Sequence, residues 1–315
     1  MTERLPAARE HARRVAEFVT EPDTFAAELR TGLEDLADPH YAAAHEWVAP
    51  GSTGVIGVRQ PLLRPFMAAV RRALRGASPA IALYLGDRLS REPFHEARLL
   101  ALVALEGSLA ADPERTWQLI RRVSRGARDW VTVDTLANLV AAGILLEHYR
   151  WAELEQLVYS PTRWERRLVG STVAQLAFRV PRGQREALRQ TVGLTLIESL
   201  IGDDEPDVQK ALAWALRSWR LVDAPGVEAL LRREAATAVA HEDGHRAWVV
   251  RDALTGSPAP GYAAELRAAL AGVRKRPGAP ATSRAREVAD AFAGSGMPTA
   301  DELPEPPLTA AAARP

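Results

Sequence analysis

The sequence predicts an all-α fold of stacked helix pairs, and three observations predict it. Apolar residues recur at the three-to-four spacing of a helical face, and period-two alternation is nowhere sustained. Pro22, Pro39, Pro61, Pro79, Pro93, Pro113, Pro161, Pro206 and Pro225 each stand near the start of such a segment, where a missing N–H is tolerated. The segments between them have ordinary helix length and fall into pairs.

In order, Pro93–Ala111 pairs with Thr116–Arg125, and Asp134–Glu147 with Trp151–Tyr159. Thr162–Phe178 is followed by Arg185–Ile201 and then by Val208–Trp219. One pair every ~40 residues is the rhythm of HEAT-like repeats. No such pair buries its apolar face alone, so neighbours stack into a curved solenoid with a concave face. Residues 1–277 form this solenoid by the same rhythm. Residues 278–315 hold one short helix, Ala285–Ala293, and a Pro/Ala-rich tail expected to be disordered for want of large apolar residues.

Composition limits the function. The 315 residues are 47% hydrophobic, enough for a sizeable core, and contain no apolar run long enough to span a membrane. The charged N-terminus MTERLPAAREHARR is no secretory leader, and the lack of cysteine excludes disulfide and thiolate chemistry. A cytoplasmic protein is expected, associated with the nucleoid if DNA is its partner. Forty basic residues balance forty acidic ones, so a wholly basic nucleic-acid binder is disfavoured, whereas a basic groove with an acidic outer face is allowed. All basic residues except Lys210 and Lys275 are Arg, the better fork for phosphate, although arginine-rich codon usage would give the same bias.

No phosphate-binding glycine loop, dinucleotide fingerprint or serine nucleophile elbow is present. His241-Glu242-Asp243-Gly244-His245 satisfies H-E-x-x-H, but Gly244 is a poor helix interior and no third ligand follows at a usual spacing. It reads as an interhelical loop, and neither metal nor cofactor is expected. Asp134 lies four residues after Trp130, so both share a helix face. By spacing alone, Asp134 reads first as a helix cap or as a partner of a neighbouring loop. Trp117, Trp151, Trp164 and Trp219 read as core.

Four stretches, in order and spacing, resemble the AlkD-type DNA alkylation-repair glycosylases over roughly residues 40–255. They are Val55–Arg64, His95–Leu102, Trp130–Asp134, and the span from Ser160-Pro161-Thr162-Arg163-Trp164 to Val208–Arg217. The resemblance implies a HEAT-like solenoid that holds duplex DNA on its concave face and hydrolyses the N-glycosidic bond of cationic alkylpurines. N3- or N7-alkylation makes the base a good leaving group, so a carboxylate that stabilises the oxocarbenium-like sugar is the essential group. The family's catalytic Asp and its aromatic partner correspond to Asp134 and Trp130, and its second active-site Trp to Trp214. Its remaining aromatic, a Tyr, has Trp47 as nearest equivalent across a one-residue gap, with Tyr41 the weaker candidate. Arg167 corresponds to the phosphate-contacting Arg, with Arg163, Arg166, Lys210 and Arg217 as further backbone contacts. The expected partner is duplex DNA carrying 3-methyladenine, 7-methylguanine or bulkier adducts, bound by a monomer. A non-catalytic scaffold binding DNA or protein is the alternative, and it predicts an Asp134 that is buried, capped or turned away.

Overall fold

A computed structural model describes residues 2–52, 54–256 and 259–293; the expected disordered tail lies outside these residues. The described residues form α-helices and short 3-10 turns, with no strand. The N-terminal half runs α1 (Leu5–Ala16), α2 (Pro22–Glu34), α3 (Pro39–Val48), α4 (Gln60–Ala73), α5 (Pro79–Ser90), α6 (His95–Ser108) and α7 (Pro113–Gly126). Then follow α8 (Trp130–Leu146), α9 (Arg150–Gln156), α10 (Arg163–Arg179), α11 (Arg185–Arg189) and α12 (Gly193–Leu200). The chain continues as α13 (Pro206–Ala240), α14 (Gly244–Ala253), α15 (Ala263–Ala269) and α16 (Arg284–Ala293). Pro22, Pro39, Pro61, Pro79, Pro113 and Pro206 occupy the first or second helical position of their helices, as a residue without an N–H should.

The helices stack as the rhythm requires. α4, α6, α8, α10, α13 and α14 each pack on the next, and α2, α5 and α7 make a second layer beside them. This is the helical-repeat solenoid. Its apolar interior divides into two cores, one from Ala8 to Ala104 and one from Leu83 to Ala285, that interdigitate along α5 and α6. Trp117, Trp151, Trp164 and Trp219 are all buried, as expected of core tryptophans.

Two expected helices differ in detail. Arg185–Ile201 is broken into α11 and α12, with the Thr191 hydroxyl donating to the Leu188 carbonyl at the break. α12 then begins at Gly193, where a Cβ would lie 2.6 Å from the buried Trp219 ring. Val208–Trp219 runs on as α13 to Ala240, bending at Asp223 (φ −144°, ψ 79°), two residues before Pro225. The Asp223 carboxylate accepts from Gly226 N–H at 3.0 Å, so the second half of α13 starts with a cap and an early proline like an independent helix. The short C-terminal helix appears as α16, packed on α12.

Two features hold the site-bearing helices in place. At Gly170 a Cβ would meet the Ala211 backbone at 2.9 Å, so only glycine lets α10 and α13 approach this closely. Glu96, buried in the first turn of α6, accepts N–H bonds from Ile56 (3.1 Å), Gly57 (2.8 Å) and Val58 (3.1 Å). One carboxylate thereby fixes the loop that joins α3 to α4. Truncation to Ala strands three backbone donors, so Glu96→Ala is expected to lower unfolding stability by about 3 kcal/mol, read from the urea midpoint at unchanged slope.

Candidate functional site

The first turns of α8, α10 and α13 come together because these helices are consecutive neighbours in the stack. α8 is capped by Asp129, whose carboxylate accepts from the Thr132 N–H and hydroxyl, each at 2.8 Å. The cap is therefore Asp129, and Asp134, one turn further on, is free of that duty. α10 is capped by the Thr162 hydroxyl, which accepts from Glu165 N–H.

Asp134 receives a fork from Arg167. Nε donates to Oδ1 at 3.0 Å and Nη2 to Oδ2 at 2.7 Å. Ser171, one turn along α10 from Arg167, donates its hydroxyl to Oδ1 at 2.6 Å. The third nitrogen of Arg167 donates to the Asp207 carbonyl in the first turn of α13 at 2.6 Å, so one guanidinium ties three helices. The Asp134 side chain is 21% exposed against 7% for Arg167. The carboxylate is thus the partner nearer the solvent. The Arg167 guanidinium also lies 6.0 Å from the Trp130 ring centroid. The half-buried Trp130 donates its indole N–H to the Val48 carbonyl at 2.8 Å, fastening the end of α3 to the start of α8.

The other sequence-derived residues separate into three groups. Trp47, on the end of α3 that Trp130 holds, is 89% exposed. Tyr41, earlier on α3, is half-buried with the Arg59 guanidinium 5.1 Å from its ring. Trp214 is half-buried on α13, with Lys210 exposed one turn before it and without a partner among the described residues. Arg163 is exposed, lies 4.8 Å from the Trp164 ring and 3.5 Å from Glu205. Arg166 is buried, donating to Asp203 at 2.6 Å and to the Ser160 and Pro161 carbonyls at 2.9 Å each. Arg217 is turned to the end of α14, donating to the Asp252 carboxylate at 2.7 Å and carbonyl at 2.8 Å. Arg166 and Arg217 are thus bound within the protein, whereas Lys210 and Arg163 face outward.

The H-E-x-x-H run straddles the turn between α13 and α14. Glu242 has φ 49°, Asp243 caps α14, and His241 and His245 belong to different helices. His245 bonds Gln209 and the Ala279 carbonyl, each at 3.1 Å. No group of three metal-binding side chains occurs among the described residues, and no helix there is long and apolar enough to cross a membrane.

Sequence alone does not single out Ser171 or His95. Ser171 lies one turn from Arg167, a legible spacing, but only the packing of α10 on α8 shows what that face meets. His95 is buried 4.0 Å from the Asp129 carboxylate and 5.0 Å ring to ring from His45. Burial holds its pKa below the usual 6.5, against the opposing pull of Asp129 and Glu96. Because the folded pKa is depressed, the unfolded chain takes up this proton first as pH falls. The stability that neutral His95 provides is present above about pH 6.5 and lost below it. His95→Asn is therefore expected to lose less stability than the wild type between pH 7 and pH 5, measured by urea unfolding at each pH.

The sequence pattern that defines a family described as DNA alkylation repair enzyme matches residues 29–256. No curated protein and no solved structure matches the chain.

Proposed function

The chain belongs to the DNA alkylation repair enzyme family, and from that premise we propose that it is a DNA glycosylase hydrolysing the N-glycosidic bond of cationic alkylated purines in duplex DNA. Its role would lie in base excision repair. The observation that carries this reading is the carboxylate of Asp134, oriented by Arg167 and Ser171 one turn along α8 from Trp130. Of the pair, the carboxylate is the more exposed partner and so the group nearer to a bound substrate.

The chemistry follows from charge. A purine alkylated at N3 or N7 carries positive charge and leaves without needing a proton. As the bond breaks, positive charge grows on the deoxyribose. Asp134 stabilises that charge and orients the attacking water. Trp130 and Trp214 offer aromatic faces to the cationic nucleotide, each such contact contributing ~0.5–2 kcal/mol. Trp47, bare on α3, is the third wall. A lone carboxylate would repel the phosphates around it; the Arg167 fork offsets this before DNA arrives and is placed to turn a donor towards a phosphate afterwards. Arg163 and Lys210, both exposed, add backbone contacts, while Arg166 and Arg217 act by fixing the helices that carry them. The DNA lies along the concave face of a monomer.

The same fork favours one second reading. A bidentate pair joining α8 to α10 is also what a non-catalytic DNA- or protein-binding scaffold would use for rigidity. Base release from methylated duplex DNA separates the two. The wild type is expected to release 3-methyladenine or 7-methylguanine, and Asp134→Asn to do so about 10²-fold more slowly with DNA affinity retained. Intact binding with no release by the wild type would leave the scaffold reading.

A further inference from the structure

A cavity of about 330 Å³ opens beside the N-terminus of α8. Four guanidiniums line it: Arg91 from just after α5, Arg98 from α6, Arg122 from α7 and Arg128 from the turn into α8. Its two carboxylates, Glu92 and Asp129, are already engaged. Glu92 pairs with Arg88, and Asp129 caps α8 through Thr132. Arg91 and Arg122 share a single carboxylate, Asp87. Arg128 donates to the Arg125 and Ala127 carbonyls, both at 3.0 Å, and has no carboxylate partner among the described residues. Half-burial of Arg98 works against its charge and presses its pKa down. Arg91, Arg122 and Arg128 thus have one carboxylate, Asp87, between them, a local excess of positive charge in a chain whose forty acidic and forty basic residues balance.

An anion entering this cavity would gain the field of all four groups. Planar guanidiniums match the paired oxygens of a phosphate. The location selects the source. Asp129, on the cavity wall, precedes Asp134 by five residues of the same helix, ~8 Å along its axis. A DNA backbone that passes Asp134 therefore runs close to the cavity.

We propose that this cavity is a phosphate-binding subsite that grips the DNA backbone close to the damaged nucleotide. The distance to the lesion rests on the reading of Asp134 as the glycosylase centre; the phosphate chemistry does not. Such a grip, like one from the exposed Lys210 on α13, would hold the strand without reading its sequence.

The test uses the full chain and the double variant Arg122→Gln/Arg128→Gln, both exposed positions. Arg13→Gln/Arg233→Gln, which removes two exposed arginines elsewhere, is the charge-matched control. Affinity for a labelled unmodified duplex is measured by anisotropy across a salt series. The expected result is about tenfold weaker binding near 0.1 M salt and a log–log salt slope shallower by about one, with the control unchanged. If the slope is unchanged but added inorganic phosphate raises the Tm of the wild type and not of the variant, the subsite stands with free phosphate as its ligand. Equal slopes together with equal responses to phosphate would overturn it. Base release separates this from the glycosylase reading: a shallower slope in a protein that releases no base keeps the subsite and discards the glycosylase, and base release with equal slopes and equal responses to phosphate does the reverse.

Discussion

The guanidinium of Arg167 joins the Asp134 carboxylate on α8 to the Asp207 carbonyl on α13 from its own place on α10. Most of the site's geometry depends on it. A charge that is mostly buried must be matched in place, and loss of one partner of such a pair costs about 3–5 kcal/mol because the other is left desolvated. The fork also fixes the plane of the carboxylate, and the Ser171 hydroxyl holds one of its oxygens independently of the cation. Asp134 would therefore stay oriented if Arg167 gave up one bond to a phosphate.

The helix stack makes this meeting possible. α6, α8, α10, α13 and α14 each bring an acidic residue to their first turn or cap: Glu96, Asp129, Glu165, Asp207 and Asp243. Carboxylates there satisfy free N–H groups and complement the positive end of the helix dipole. Glu96 and Asp129 also position the N-terminal helices. Glu96 orders the loop between α3 and α4, and Asp129 starts α8 in the register that points Trp130 at the Val48 carbonyl. The N-terminal helices are thus tied to the site by hydrogen bonds as well as by apolar packing.

Arginine divides into two populations. Arg150 is fully buried among Glu114, Glu147 and Glu153, and Arg166 is closed on Asp203. These are struts between helices, and their charge is spent inside the fold. Arg128, Arg163 and Lys210 lie at the surface around the first turns of α8, α10 and α13, with weak carboxylate partners or none among the described residues. An overall charge of zero therefore does not oppose DNA binding, since the groups that could meet phosphate are local and the acidic residues are largely consumed in ion pairs.

The sequence by itself determined the all-helical repeat, because helix periodicity and prolines at helix starts are local signals that packing did not override. It also determined the family, and the pairing of Trp130 with Asp134 on one helix face, because four-residue spacing has one geometric meaning in a helix. It left open whether Asp134 was a cap, although Asp129, three residues before Thr132, carried the capping pattern. Among five cations of the same local appearance, it gave no means of telling outward arms from struts. That distinction is tertiary: Arg166 and Arg167 are adjacent in sequence, yet one meets Asp203 and the other Asp134, because successive residues on α10 project towards different neighbours. Ser171, His95 and the four-arginine cavity were decided only by tertiary structure, since each exists through contacts between helices far apart in the chain.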